Sequence, residues 1–213
     1  MKDIQQLREA FDKLENADYL TIIKFYESNI EAINLLNPKN DENQYNFKMR
    51  LQSEYGLSLV SAGYYTLAVS VLDDSIKMFE NSPTIEIGEI HEITYFEHLL
   101  WNYGVALWET KNIPETTKIF ERLVKNYPKN EKYSIWLRGL KAEKIKKITK
   151  PLWIICGLWL IGELTIFEKL DQNIQLILSF MGVLLLIAVG IAELYIFFIT
   201  KDKKKTNAQK KLS

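Results

Sequence analysis

Apolar residues recur at intervals of three and four through the first 150 positions, then run almost unbroken for about fifty. Ile4, Leu7, Phe11 and Leu14 form one stripe, and Ile119, Phe120, Leu123, Val124 and Tyr127 form another. Such spacing puts side chains on one face of a helix, and no stretch sustains the alternation a strand needs. The pattern predicts helices over 2–15, 18–36, 43–62, 65–81, 85–110, 113–126 and 129–149. Gly63, Pro83, Pro114 and Pro128 fall at or beside the joints, where helix breakers belong. The fold class is all-α.

The continuous apolar region is of a different kind. A spanning helix needs about 20 mainly apolar residues to cross a hydrocarbon layer of roughly 30 Å. Ile174 to Thr200, IQLILSFMGVLLLIAVGIAELYIFFIT, meets that with Glu193 as its one charge. Pro151 to Phe167, PLWIICGLWLIGELTIF, is shorter and holds Glu163. With only EKLDQN between them, the two form an antiparallel transmembrane hairpin. The alternative for such a segment is the buried hairpin of a soluble core. A charged group at bilayer depth costs about 2.5–3.5 kcal/mol on insertion scales, so both carboxylates are intramembrane polar candidates. By the helical rise, Glu193 lies roughly 10 Å in from Thr200 and Glu163 roughly 18 Å in from Pro151, which argues against a matched pair. Glu163 is left to an oligomer interface or to the protonated state, and Glu193 to the headgroups or a nearby lysine.

Net charge is zero, and that average hides a sorted distribution. Residues 1–128 carry 12 Lys/Arg against 20 Asp/Glu, residues 129–150 carry 8 against 2, and the tail from Thr200 carries 6 against 1. Lys141, Lys144, Lys146, Lys147 and Lys150 precede the first span, and Lys201, Lys203, Lys204 and Lys205 follow the second. The connecting turn offers only Lys169. Cytoplasmic flanks are enriched in Lys and Arg, so the expectation is an integral membrane protein with two spans and both termini in the cytoplasm. Trp153, Trp159 and Tyr195 are candidate interfacial anchors. The same lysines favour anionic headgroups, at about 1 kcal/mol each near the surface, and this accounts for them without nucleic acid. The N-terminus, MKDIQQLREAF, does not read as a signal peptide. Cys156 is the single cysteine, so neither a disulfide framework nor a thiolate metal site is expected.

The helical region is similar to itself. In 51–80, Gly56 sits on one helix, Gly63 ends it, and Tyr65, Ala68, Leu72 and Ser75 follow on the next. In 97–128 the corresponding places hold Gly104, Ile113, Thr116, Phe120, Leu123 and Pro128. A third copy opens the chain, with Ala10, Tyr19, Ile22, Tyr26 and Pro38. This arrangement resembles the tetratricopeptide repeat, in which small residues let two helices approach and larger ones fill the gap to the next hairpin. The copies are spaced by 46–48 residues instead of the usual 34, and Thr116 replaces the family's alanine. The resemblance implies a TPR-like helical repeat domain over 1–128, a basic capping and linker helix over 129–150, the hairpin over 151–200 and a basic tail over 201–213. It also implies a curved stack whose inner face is made by the first helix of each pair. Arg50, Ser53, Leu57, His98, Trp101, Val105, Trp108 and Glu109 fall there as groove candidates. Trp101 and Trp108 are either anchors for a peptide or helix or core residues between hairpins.

Catalytic constellations are thin. His91 and His98 are the only histidines, and seven residues of helix set them about 10 Å apart, too far for one ion. No phosphate loop, dinucleotide fingerprint or nucleophile elbow occurs. The expectation is a non-enzymatic adaptor without cofactor or metal, anchored in a membrane and presenting a protein-binding surface. Its partners are one or more proteins and anionic lipid, with a homo-oligomer through the hairpin as a further possibility. The alternative is a pore or transport subunit whose hairpin oligomerises under control of the repeat domain.

Overall fold

Helices of 5 to 10 residues near the N-terminus give way to helices of 14 to 20 residues and then to two of 35 and 38. The computed structural model describes residues 4–15, 17–36, 41–83, 85 and 90–209, with backbone alone for Glu168 and for 199–209. Among the described residues there is no strand, and two compact units are formed, Met1–Lys129 and Asn130–Ser213.

The first unit holds α1 (Ile4–Asp12), α2 (Tyr19–Ser28), α3 (Ile30–Asn34), α4 (Glu42–Ser61), α5 (Tyr65–Glu80), α6 (Thr94–Glu109) and α7 (Ile113–Asn126). Their starts follow local chemistry. Asp18 accepts from the backbone N–H groups of Leu20 and Thr21 at 2.9 and 3.0 Å, Asp41 accepts from that of Gln44 at 3.1 Å, and Asn112 caps α7 with Pro114 in the first turn. The helix expected over 18–36 breaks at Asn29. There the side-chain amide donates to the Phe25 carbonyl at 2.7 Å, taking the acceptor that the helix would offer its own N–H. The helix expected from residue 85 begins at Thr94, after a 3₁₀ turn at Ile90–Glu92. Pro38, assigned to the first copy, lies outside the described residues.

Packing runs in chain order: α2 on α4, α4 on α5, α5 on α6 and α6 on α7, with α4 also touching α6. Leu7 and Phe11 fix α1 to a cluster made by Ile33, Leu36, Phe47 and Leu51. The pairs α4–α5 and α6–α7 are equivalent at an offset of 48 residues. Ala62 and Thr110 are the C-caps, donating to Ser58 and Ala106 at 2.9 and 3.0 Å. Gly63 and Lys111 follow with positive φ, 81° and 63°. Tyr64 and Asn112 then donate to Leu59 and Leu107, both at 2.9 Å, as each second helix begins. Gly56 faces Leu72 and Val71, and Gly104 faces Phe120 and Ile119. A Cβ on Gly56 would lie 2.7 Å from Leu72 Cδ2, which is why the first helix carries no side chain there.

The opening segment follows this frame in part. α2, α5 and α7 begin at Tyr19, Tyr65 and Ile113, in the register that the sequence similarity assigned. In α2, however, Ile23 is buried while Ile22 is half-buried and Tyr19 exposed, and α1 is nine residues long.

In the second unit α8 (Glu131–Thr165) and α9 (Gln172–Gln209) pack against each other through a 3₁₀ turn at Phe167–Lys169. Asp171 caps α9 through the Asn173 N–H at 2.9 Å. The basic helix and the first apolar span, expected as neighbours divided at Pro151, form a single helix with Pro151 inside it. A proline removes one backbone hydrogen bond and strains the preceding turn, yet α8 runs on through it. Both helices are long and apolar enough to cross a membrane by length and composition. Their apolar side chains face outward, with Leu158 65%, Leu164 73% and Leu176 71% exposed, so they are not the filling of a soluble core.

Candidate functional site

The proposed groove residues occupy three different environments. Ser53 is fully buried, and its hydroxyl donates to the Met49 carbonyl of its own helix at 2.7 Å, so it offers no surface. Arg50 is exposed but engaged with α1, its guanidinium 2.8 Å from the Asp12 carboxylate and 5.1 Å from the Phe11 ring centroid. On α6, His98, Trp101, Val105 and Trp108 share one helical face by spacing. His98 is exposed, with the Asn102 amide donating to its carbonyl at 2.8 Å. Trp101 is half-buried with its ring edge-on to the fully buried Phe120 at 5.5 Å, which makes it part of the α6–α7 core. Trp108 is half-buried with the Lys111 ammonium over its ring at 5.0 Å, and Glu109 is half-buried beside it.

A second set of polar groups was not read from the sequence. Tyr55 of α4 donates to Glu27 of α2 at 3.2 Å, and Tyr103 of α6 donates to Asp73 of α5 at 3.2 Å. Tyr55 and Tyr103 are 48 residues apart, so the same bond ties each first helix to the helix before it. Tyr95 of α6 donates to Glu54 of α4 at 2.9 Å. Burial, then the adjoining carboxylate, pushes the Tyr55 phenol up to about 12 and raises those of Tyr95 and Tyr103 well above the ordinary value. These phenols are structural donors at any physiological pH. Tyr26 stacks on Tyr55 with centroids 4.0 Å apart. The recurrence of tyrosine at 55 and 103 was the available signal, but the partner acids lie 28 and 30 residues away and follow no periodic rule.

His91 lies in the 3₁₀ turn and not on α6, so the two histidines do not share a helix. It packs against Phe96 and Tyr127, with ring centroids 5.8 and 6.1 Å away. Its Nδ1 is buried and unpaired, and burial followed by the Arg122 charge lowers its pKa. Among the described residues no cluster of His, Cys, Asp or Glu is arranged to hold a metal ion.

Glu163 and Glu193 both lie on the helix pair, and each meets the opposite helix. Glu163 of α8 accepts from the Ser179 hydroxyl of α9. Glu193 of α9 accepts from Trp153 Nε1 of α8 at 3.4 Å. The two bonds lie 10 residues apart along α8 and 14 along α9, so the carboxylates do not form one site. Trp159 approaches α9 so closely that a Cβ at Gly182 would be 2.6 Å from its Nε1, and its ring meets Phe167 edge-on at 5.7 Å. A cavity of about 90 Å³ opens between the helices, lined by Cys156, Trp159, Glu163, Ser179 and Gly182 among others. Lys144, Lys146, Lys147 and Lys150 are exposed on α8. Lys201, Lys203, Lys204 and Lys205 fall in the last turns of α9, and their side chains lie outside the described residues.

No family model, curated protein or solved structure matches the chain. Function has to be argued from the two units themselves.

Proposed function

We propose that this chain is a membrane-anchored, TPR-like adaptor, non-enzymatic, whose helical unit presents a protein-binding surface to the cytoplasm. The observation that carries the reading is the pair of equivalent hairpins, α4–α5 and α6–α7, with matching caps, matching positive-φ turns and matching glycine contacts. Stacked hairpins of this type use the exposed parts of their first helices for recognition, and here that leaves His98, Trp108 and Glu109 on α6. The fold analogy supplies the class of work and not the partner. The apolar faces of α8 and α9 then serve as two spans, and the lysines before and after them keep both termini in the cytoplasm and bind anionic headgroups.

The test is a crosslinking capture from intact membranes of the full chain and of a His98→Ala, Trp108→Ala double variant. Neither side chain is fully buried, so the variant keeps its helicity. Loss of a specific crosslinked protein in the double variant is expected, and its retention would mean that α6 is not the recognition face. Trp101→Ala is a poor substitute, because the ring also packs on Phe120.

The second reading is a pore or transport subunit regulated by the helical unit. The observation that favours it is the cavity inside the hairpin, which Glu163 and Ser179 line. Exchanging 151–213 for an unrelated anchor separates the two: an adaptor keeps its activity and a transport subunit loses it.

A further inference from the structure

We propose that Glu163 is a reversible proton-binding site, with its carboxyl neutral when the hairpin is in a bilayer. The inference rests on the reading of α8 and α9 as spans. Its first ground is the company Glu163 keeps. The Ser179 hydroxyl donates to one carboxyl oxygen, and among the described residues no Lys, Arg or His forms an ion pair with it. The nearest cationic residues along the chain are Lys150 and Lys169, before the first span and beyond its end. From α8 the cavity receives the Cys156 thiol and the Trp159 indole, and from α9 only the Ser179 hydroxyl as a polar side chain. No positive charge lies among these groups to pair with a carboxylate, and a lone charge is costly at bilayer depth.

The second ground is the cavity. Its volume of about 90 Å³ has room for roughly two or three waters. Trp159 Nε1 is buried, lines the same space and has no hydrogen-bond partner, so it is a donor in need of an acceptor. Ser179 occupies Oε1, leaving Oε2 to carry the proton and donate it to a water that also accepts from the indole. Gly182 is required for this, because any side chain would displace Trp159. Glu193 is the contrast. It accepts from Trp153 and lies roughly 10 Å by helical rise from Thr200, where the lysine-rich segment begins.

The experiment uses the full chain in lipid vesicles, taken from the fraction that resists alkaline carbonate extraction, and a hydrophobic carbodiimide, which adds intact across a protonated carboxyl. At neutral pH one reagent adduct is expected at Glu163, located by peptide mass. The adduct should be absent from Glu163→Gln, retained in Glu193→Gln, and lost on alkalinisation. The infrared carbonyl band of a protonated carboxyl should disappear in Glu163→Gln, which reads the same proton without any labelling. A carbonate-resistant chain that lacks both adduct and band overturns the proton site while the spanning reading stands. Protection by sodium at constant pH also overturns it, in favour of a monovalent cation. A chain released by carbonate overturns both readings.

Discussion

Gly63 and Lys111 occupy the same step of two hairpins, 48 residues apart, and both have positive φ. A residue with a Cβ pays about 1–2 kcal/mol in that region. Glycine pays instead with freedom lost from the unfolded chain. Lys111 is exposed and recovers part of its strain by resting its ammonium over Trp108. Two substitutions should therefore differ in sign. Gly63→Lys is expected to lower stability by about 1–2 kcal/mol. Lys111→Gly is expected to raise it by at most about 1 kcal/mol, since relief of strain is offset by chain entropy and the lost ring contact. Thermal unfolding of the full chain in detergent, followed by helical circular dichroism, reads both. Equal effects at 63 and 111 would mean that the turns are not equivalent.

At the scale of elements, the first unit is held by polar bonds between helices as well as by its core. Arg122 of α7 reaches Glu80 of α5 at 2.5 Å and lies over the Phe96 ring of α6, so one side chain joins three helices. His91 sits beside this junction, and its pH dependence follows from that place. Its folded pKa is lowered from 6.5 by burial and by Arg122, with Lys125 adding to the effect and Glu80 opposing it. The unfolded chain therefore takes up the proton first as pH falls. Stability contributed by neutral His91 is complete above the ordinary value of 6.5, declines below it, and levels once the folded form also protonates. A melting temperature that drops on acidification through this window is expected, and His91→Phe should flatten the drop. An unchanged profile in that variant would assign the acid sensitivity to other groups.

On the scale of the whole molecule, the sorted charge and the outward-facing apolar helices lead to a topology that can be measured. In a Cys156→Ser background, a cysteine at Asn173 should react with an impermeant maleimide on intact cells. A cysteine at Ser213 should react only after lysis. The reverse pattern would contradict the orientation drawn from the lysines, and protection at neither site would contradict the hairpin.

The amino-acid pattern by itself determined that this is an all-helical chain with two long apolar helices at its end, because periodicity and apolar run length act over short distances. It also placed the joints at 63, 83, 114 and 128, since glycine and proline restrict the backbone locally. It misjudged continuity at Asn29, where a side-chain bond outweighed local preference, and at Pro151, which lies inside one unbroken helix. Only the tertiary structure decided which candidates share an environment. Ser53 and Trp101 have the spacing of surface residues, yet one is enclosed and the other packs on Phe120. The bonds from Tyr55, Tyr95 and Tyr103 join residues about 30 or 40 positions apart, as does Trp153 to Glu193, and no local rule reaches so far. Depth counted along the sequence separated Glu163 from Glu193. The partner each one meets, Ser179 in a cavity for the first and Trp153 for the second, came from how two antiparallel helices register against each other.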